Sequence, residues 1–196
     1  MAVKERQIRA VYDEMTITVY QAYNKTIAES AVKNQTFVSP PFKMDRMTWI
    51  KPSFLWMMYR SGWATKPNQE HILAIKISRE GFEWALQNAC LSHFDPAVHN
   101  SHEEWKEKLK RSPVRIQWDP ERDIHMNKLD YRAIQVGLSG VAVGKYNNEW
   151  IEEIEDVTDI GFSICKLLRK GETKQASNLL PKELAYPAQD SLASCS

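Results

Sequence analysis

Glycine is scarce in this chain of 196 residues, with seven in all, and neither GxxxxGK[ST] nor GxGxxG occurs. A glycine-built phosphate cradle of the P-loop or dinucleotide-fold kind is therefore disfavoured. GxSxG is missing too, which argues against a hydrolase with a nucleophile elbow. Cysteine is nearly as rare. Cys90, Cys165 and Cys195 are odd in number and widely spaced, and no CxxC occurs, which speaks against a disulfide framework and a structural zinc site. Cys90 and Cys165 read as small buried hydrophobes, and Cys195 as an exposed thiol in a polar tail. The histidines at 71, 93, 99, 102 and 125 show no HxxxH or HExxH spacing, so no metal is expected. No apolar run is long enough to cross a bilayer. The start, MAVKERQIRA, lacks the apolar core of a secretory signal, and the final SCS fits neither a prenylation nor a peroxisomal signal. The expected setting is intracellular, cytoplasmic and away from membranes. Net charge is +1, so bulk charge supplies no argument for a nucleic-acid partner.

What is present is globular in character. With 43% hydrophobic residues, 26% charged residues and seven tryptophans, the chain is too apolar to stay disordered. It is long enough to bury a core without staples. The pattern predicts a short strand at 7–12 and a helix over 16–33 opened by Asp13 or Thr16. Ser39-Pro40-Pro41 breaks the chain. A short strand follows at 46–50, then a helix from Pro52 to about Arg60 that Gly62 stops. His71 to Ser78 alternates most clearly as a strand, and 79–90 reads as a helix. Between 91 and 112 the sequence predicts a loop with one short exposed helix. Val114 to Trp118 is a strand closed by Asp119-Pro120, 133–138 fits helix or strand, and 147–170 follows a helical period. The expected fold is α+β: a single domain over 1–171, with a mixed or antiparallel sheet and packed helices, then a polar, partly ordered tail over 172–196.

The densest chemistry lies in RMTWIKPSFLWMMYRSGW, residues 46–63. Trp49, Trp56 and Trp63 alternate with Arg46, Lys51 and Arg60. Between Phe42 and Arg79 seven cations face two acids, and six acids gather between Glu149 and Asp159. Such segregation favours a field at a cleft, and aromatic faces beside fixed cations suit a flat anion. The alternative is a solvated face whose two segments pair by salt bridges. Trp56 reads as core. Trp49, at a strand-to-helix turn, reads as a ligand contact, because a helix opening at Pro52 offers free N–H groups there and Ser53 a hydroxyl. Arg9 and Tyr12 flank an early strand end, as surface ion pair or site. The segment QWDPERD offers acid–base groups at Asp119, or only a charged turn.

The stretches IRAVYDEMTITVYQAY, RMTWIKPSFLWMMYRSGWA, ILAIKISREGFEWAL, RIQWDPERD and IQVGL resemble the hallmark blocks of domain of unknown function family 4291, across roughly Gln7 to Gly171. That resemblance implies no established activity. A second one is of layout only. An early Arg, a Thr or Ser leading into a helix and a late Glu are similar to the arrangement of ADP-ribosyltransferase folds. It would match Arg9, Thr48 or Ser53, and Glu153 or Glu155, although the last two fall in the predicted helix rather than on a strand.

Together these readings predict an enzyme that binds a nucleotide-like anion, NAD or another nucleotide, and transfers a group from it. Arg9, Tyr12, Arg46, Thr48, Trp49, Lys51, Ser53 and Arg60 are the expected binding residues. The acid that orients the acceptor is expected from Asp119, Glu153 or Glu155. The alternatives are a non-catalytic RNA-binding module on the same face, or a protein-interaction domain with exposed tryptophans.

Overall fold

The computed structural model describes residues 5–187. In chain order the elements are β1 (Arg9–Ala10), β2 (Thr16–Tyr23), α1 (Lys25–Asn34), β3 (Thr48–Ile50), α2 (Phe54–Ser61), β4 (His71–Ser78), α3 (Arg79–Gln87), β5 (Ala89–Leu91) and α4 (His102–Arg111). Then come β6 (Val114–Arg122), β7 (Lys128–Leu138), α5 (Val141–Lys145), a π-helical turn at Tyr146–Trp150, β8 (Ile151–Asp156), α6 (Thr158–Arg169), α7 (Thr173–Asn178) and β9 (Leu184–Ala185). The strands form three sheets, β2-β4-β8, β3-β7-β6-β5 and the small pair β1-β9. Pairing is antiparallel except for β5 with β6. The protein is an α+β domain with mixed and antiparallel strands.

Four helices start on a side chain that accepts from a backbone N–H the first turn leaves free: Asn24 for α1, Ser53 for α2, Ser78 for α3 and Ser101 for α4. The two larger sheets meet where Tyr20 and Lys51 exchange backbone hydrogen bonds, Tyr20 N to Lys51 O at 2.7 Å and Lys51 N to Tyr20 O at 3.2 Å. The main core lies among these sheets, α1 and α3, with Ile17, Val19, Ile75, Ile77, Phe82, Val136 and Tyr146 within it. A second cluster under α2 and α6 gathers Tyr20, Phe54, Met57, Met58, Ile72 and Ile164.

Two predicted helices are corrected. Residues 16–23 are strand, and only Lys25–Asn34 is helical. Ile17 and Val19 enter the main core while Tyr20 enters the second cluster. A strand buried on both faces loses the alternation that would betray it. Asp13 is not a helix cap either. Its carboxylate accepts from the backbone of Met15 and Thr16, closing the turn into β2. The predicted helix 147–170 divides into the π-helical turn, β8 and α6. The false period has a specific cause. Ile75 faces Ile154 and Ile77 faces Ile151, with a register shift between Lys76 and Ile77. That irregularity aligns Ile151 and Ile154, three apart, with alternate positions of β4, and a spacing of three imitates a helix. Smaller differences also appear. The predicted helix 79–90 ends at Gln87 and gives way to β5. The strand expected at 114–118 runs on to Arg122, and 133–138 belongs to β7.

Gly62 does end α2, in the left-handed conformation. Strand β4 has the predicted bounds, and α4 buries no residue. Cys90 is buried and Cys165 half-buried. Cys195 lies outside the described residues. Residues 172–187 carry α7 and β9, and the latter pairs with β1.

Candidate functional site

The break between β3 and α2 builds a cleft. Strand β3 leaves its sheet at Ile50, Lys51 is pinned to Tyr20, and Pro52 and Ser53 turn the chain into α2. The end of β2, the segment around 41–47 and residues 67–69 close the other sides, enclosing about 620 Å³. Five predicted binding residues line this space: Arg46, Thr48, Trp49, Lys51 and Arg60. Lys43 and Tyr23 join them. Arg46, Arg60 and Lys43 are exposed, whereas Thr48 and Lys51 are buried. Charges at the mouth and a buried amine at the base give a concave, cationic site of the size that takes a small molecule.

The base of the cleft is a polar chain. Tyr146 Oη donates to Gln21 Oε1 at 2.7 Å, and Gln21 Nε2 donates to Thr48 Oγ1 at 2.6 Å. Thr48 Oγ1 also lies 3.1 Å from Tyr23 Oη. Burial pushes the Tyr23 phenol up to about 12, opposed by its hydrogen bonds and by nearby Arg46, so it stays a neutral hydrogen-bonding group. The Trp49 indole rests on Gly137 of β7. A Cβ there would lie 3.0 Å from three of its ring atoms. The missing side chain on Gly137 is what lets the ring sit close to β7.

Lys51 is the one buried lysine among the described residues, at 6% exposure. Its Nζ donates to the Trp49 carbonyl at 3.2 Å, and no carboxylate among the described residues forms an ion pair with it. Burial, reinforced by the Arg60 charge, brings the ammonium down to about 7, and Asp119 opposes that shift. Asp119, on β6, is half-buried and accepts from Gln117 and Gln135. Its charge reaches Lys51 although it does not line the cleft.

The remaining predicted residues sit elsewhere. Arg9 Nη2 donates to the Glu183 carbonyl at 3.0 Å, and Tyr12 Oη to the Ala185 carbonyl at 3.0 Å, so both hold the β1–β9 pair. Ser53 caps α2 through Trp56 N at 3.1 Å and hydrogen-bonds Glu121. Glu183 accepts from Phe54 N at 2.7 Å, again at the start of α2. Arg9, Ser53, Glu121 and Glu183 thus form a second polar cluster. Burial raises both carboxyls, Glu183 to about 8, with the neighbouring Glu121 charge adding to that of Glu183. Glu153 and Glu155 stand on β8, not on the predicted helix, and line a separate hollow of about 270 Å³ with Lys76. Glu153 pairs with Lys76 there. Trp56 is buried as expected, stacks on Tyr59, and the Arg122 guanidinium covers the Tyr59 ring at 3.8 Å. Among the described residues no group of three or more His, Cys, Asp or Glu is placed to hold a metal.

Sequence reasoning did not reach Glu121 and Glu183. Glu121 lies two residues from Asp119 in a segment already singled out for its acids. Glu183 had no local signal, because its partner Phe54 is 129 residues away. Among the described residues no helix is long and apolar enough to cross a membrane.

No curated protein matches the chain. The family model described as a domain of unknown function (DUF4291) matches residues 7–186, so the cationic cleft and the Arg9–Glu183 cluster both lie within the matched region, and the chain belongs to that family.

Proposed function

We propose that the cleft between β3 and α2 binds a nucleotide-like anion and that the chain transfers a group from it. The observation that carries this reading is the convergence of Arg46, Lys51 and Arg60 with the Trp49 indole on one concave space of about 620 Å³. Guanidinium groups bind phosphate through paired N–H donors, and an indole face accepts a flat base. Of the acids considered, Asp119 has its charge at the Lys51 end of the cleft, which suits orientation of an acceptor hydroxyl. Glu153 and Glu155 line the other hollow and are not assigned that task.

NAD is a candidate donor, with ADP-ribosyl transfer as the reaction suggested by the layout. That layout asks for an arginine, a hydroxyl and a glutamate in one place. Arg9 and Ser53 meet Glu121 rather than Glu153 or Glu155, which makes Glu121 the glutamate to test.

Thermal denaturation with ADP, NAD and a short RNA tests the proposal. Ligand at a hundredfold excess over its dissociation constant stabilises the native state by about 2.7 kcal/mol, a rise of roughly 5–10 °C for a chain of this size. ADP or NAD should raise the melting temperature, and Arg46→Ala should abolish the rise while leaving the unliganded midpoint in place. A shift with RNA alone, falling steeply with added salt, would replace this reading with an open nucleic-acid interface.

A further inference from the structure

Lysines are normally exposed and protonated, and the others among the described residues are at least partly solvent-exposed. Lys51 departs from this on several independent counts. Its backbone is fixed by the exchange with Tyr20, so the side chain has one direction to take. Its amine is sequestered at the base of the cleft, with a single hydrogen bond, to the Trp49 carbonyl. No carboxylate among the described residues pairs with it, and the cation it feels most is Arg60. An ordinary structural lysine buried this deeply would be held by a carboxylate, because an unpaired buried ammonium is costly. A lysine desolvated in a pocket beside another cation is the arrangement that frees an amine to act as a nucleophile.

We infer that Lys51 is an amine nucleophile that condenses with the carbonyl group of an aldehyde carrying a phosphate, held in the cleft by Arg46 and Arg60. This rests on the proposed anion site and adds a covalent step to it. The Lys51 nitrogen donates its electron pair to the carbonyl carbon, and a proton passes from nitrogen to the carbonyl oxygen to give a carbinolamine. Loss of that oxygen as water leaves the imine. No oxidant or reductant is consumed. The Trp49 carbonyl takes one N–H of the neutral amine, leaving the lone pair available to the cleft. Burial supports the same assignment, since it brings the ammonium down to about 7 and leaves a large neutral fraction at neutral pH.

Pyridoxal 5′-phosphate is a suitable probe, having a flat ring, an aldehyde and a phosphate. The intact chain is incubated with it at pH 7.5, reduced with borohydride and mapped by peptide mass spectrometry. The expected result is one label per chain, on Lys51, with at least tenfold less from pyridoxal, which lacks the phosphate. Label spread over exposed lysines with none on Lys51 overturns the inference, as does equal labelling by pyridoxal. A second measurement needs no variant. Competitive acetylation of the unliganded protein from pH 6 to 10 should give Lys51 a midpoint near 7, and a midpoint above 9.5 overturns the assignment. Lys51→Met keeps the apolar stem and should remove the label. ADP separates the two proposals. If ADP protects Lys51 from acetylation but no imine is trapped, the anion site stands and the covalent step fails. If the imine forms on Lys51 and ADP does not compete, the covalent step stands and the nucleotide reading fails.

Discussion

At the scale of single residues, the cleft depends on what is small or buried as much as on what is charged. Gly137 leaves room for the Trp49 ring where any Cβ would lie within 3.0 Å of it. Gly137→Ala should therefore tilt the indole without unfolding the sheet. A nucleotide that stacks on Trp49 is expected to bind roughly tenfold more weakly, at the low end of what a base–aromatic stack contributes. Isothermal titration of the wild type and the variant checks this, with unchanged affinity showing that Trp49 is only a wall. Thr48 is a different kind of support. It accepts from Gln21, which in turn accepts from Tyr146, so Thr48→Val removes the oxygen that both Gln21 and Tyr23 use. Leaving a buried amide donor unsatisfied should cost about 1–3 kcal/mol, read from urea unfolding. The residues of the cleft were legible because cations, indoles and Pro52 are dense in one short segment. Gln21 and Tyr23 were not, because they reach the cleft only through a strand pairing that no local pattern announces.

At the scale of elements, α3 and the π-helical turn meet through a contact with no slack. A Cβ on Gly81 would come 2.3–2.6 Å from atoms of the Trp150 ring. Gly81→Ala forces that indole out of the core and should destabilise the protein by about 1–3 kcal/mol, although alanine is the better helix former. Chemical denaturation decides between the two effects, and a more stable variant would show that propensity outweighs packing here. Elements were legible where one rule dominated. The strict alternation of His71 to Ser78 and the left-handed glycine after α2 left little choice. They were illegible where two rules gave the same pattern. A β-irregularity spaced Ile151 and Ile154 like a helix, and burial on both faces hid β2. Helix α2 also shows local and distant chain acting at one point, because Ser53 and Glu183 both accept from N–H groups of its first turn.

At the scale of the whole molecule, the two ends of the described chain are tied together over α2. Strand β9 pairs with β1, Tyr186 N donates to the Ile8 carbonyl, and Arg9 reaches the Glu183 carbonyl. This closure places Glu183 beside Glu121, in surroundings that oppose ionisation of both carboxyls. The consequence is a pH dependence of global stability whose sign follows from proton counting. An unfolded glutamate releases its proton near 4.5, whereas native Glu183 holds it up to about 8. Between those values the native state binds more protons than the unfolded state, so stability is highest below about 4.5 on this account and falls as pH rises toward 8. Above 8 both forms are ionised and the loss is complete. Glu183→Gln keeps an oxygen for Phe54 N and removes the titration. The variant should match the wild type near pH 5 and exceed it at pH 8.5. The excess should be on the order of 1–2 kcal/mol, less than the full shift implies because solvent reaches part of this side chain. Urea unfolding at pH 5, 7 and 8.5 measures it. If the difference between the two proteins did not grow with pH, the native Glu183 carboxyl would be ionised throughout that range, and the closure over α2 would rest on the β1–β9 pairing and the Arg9 contact alone.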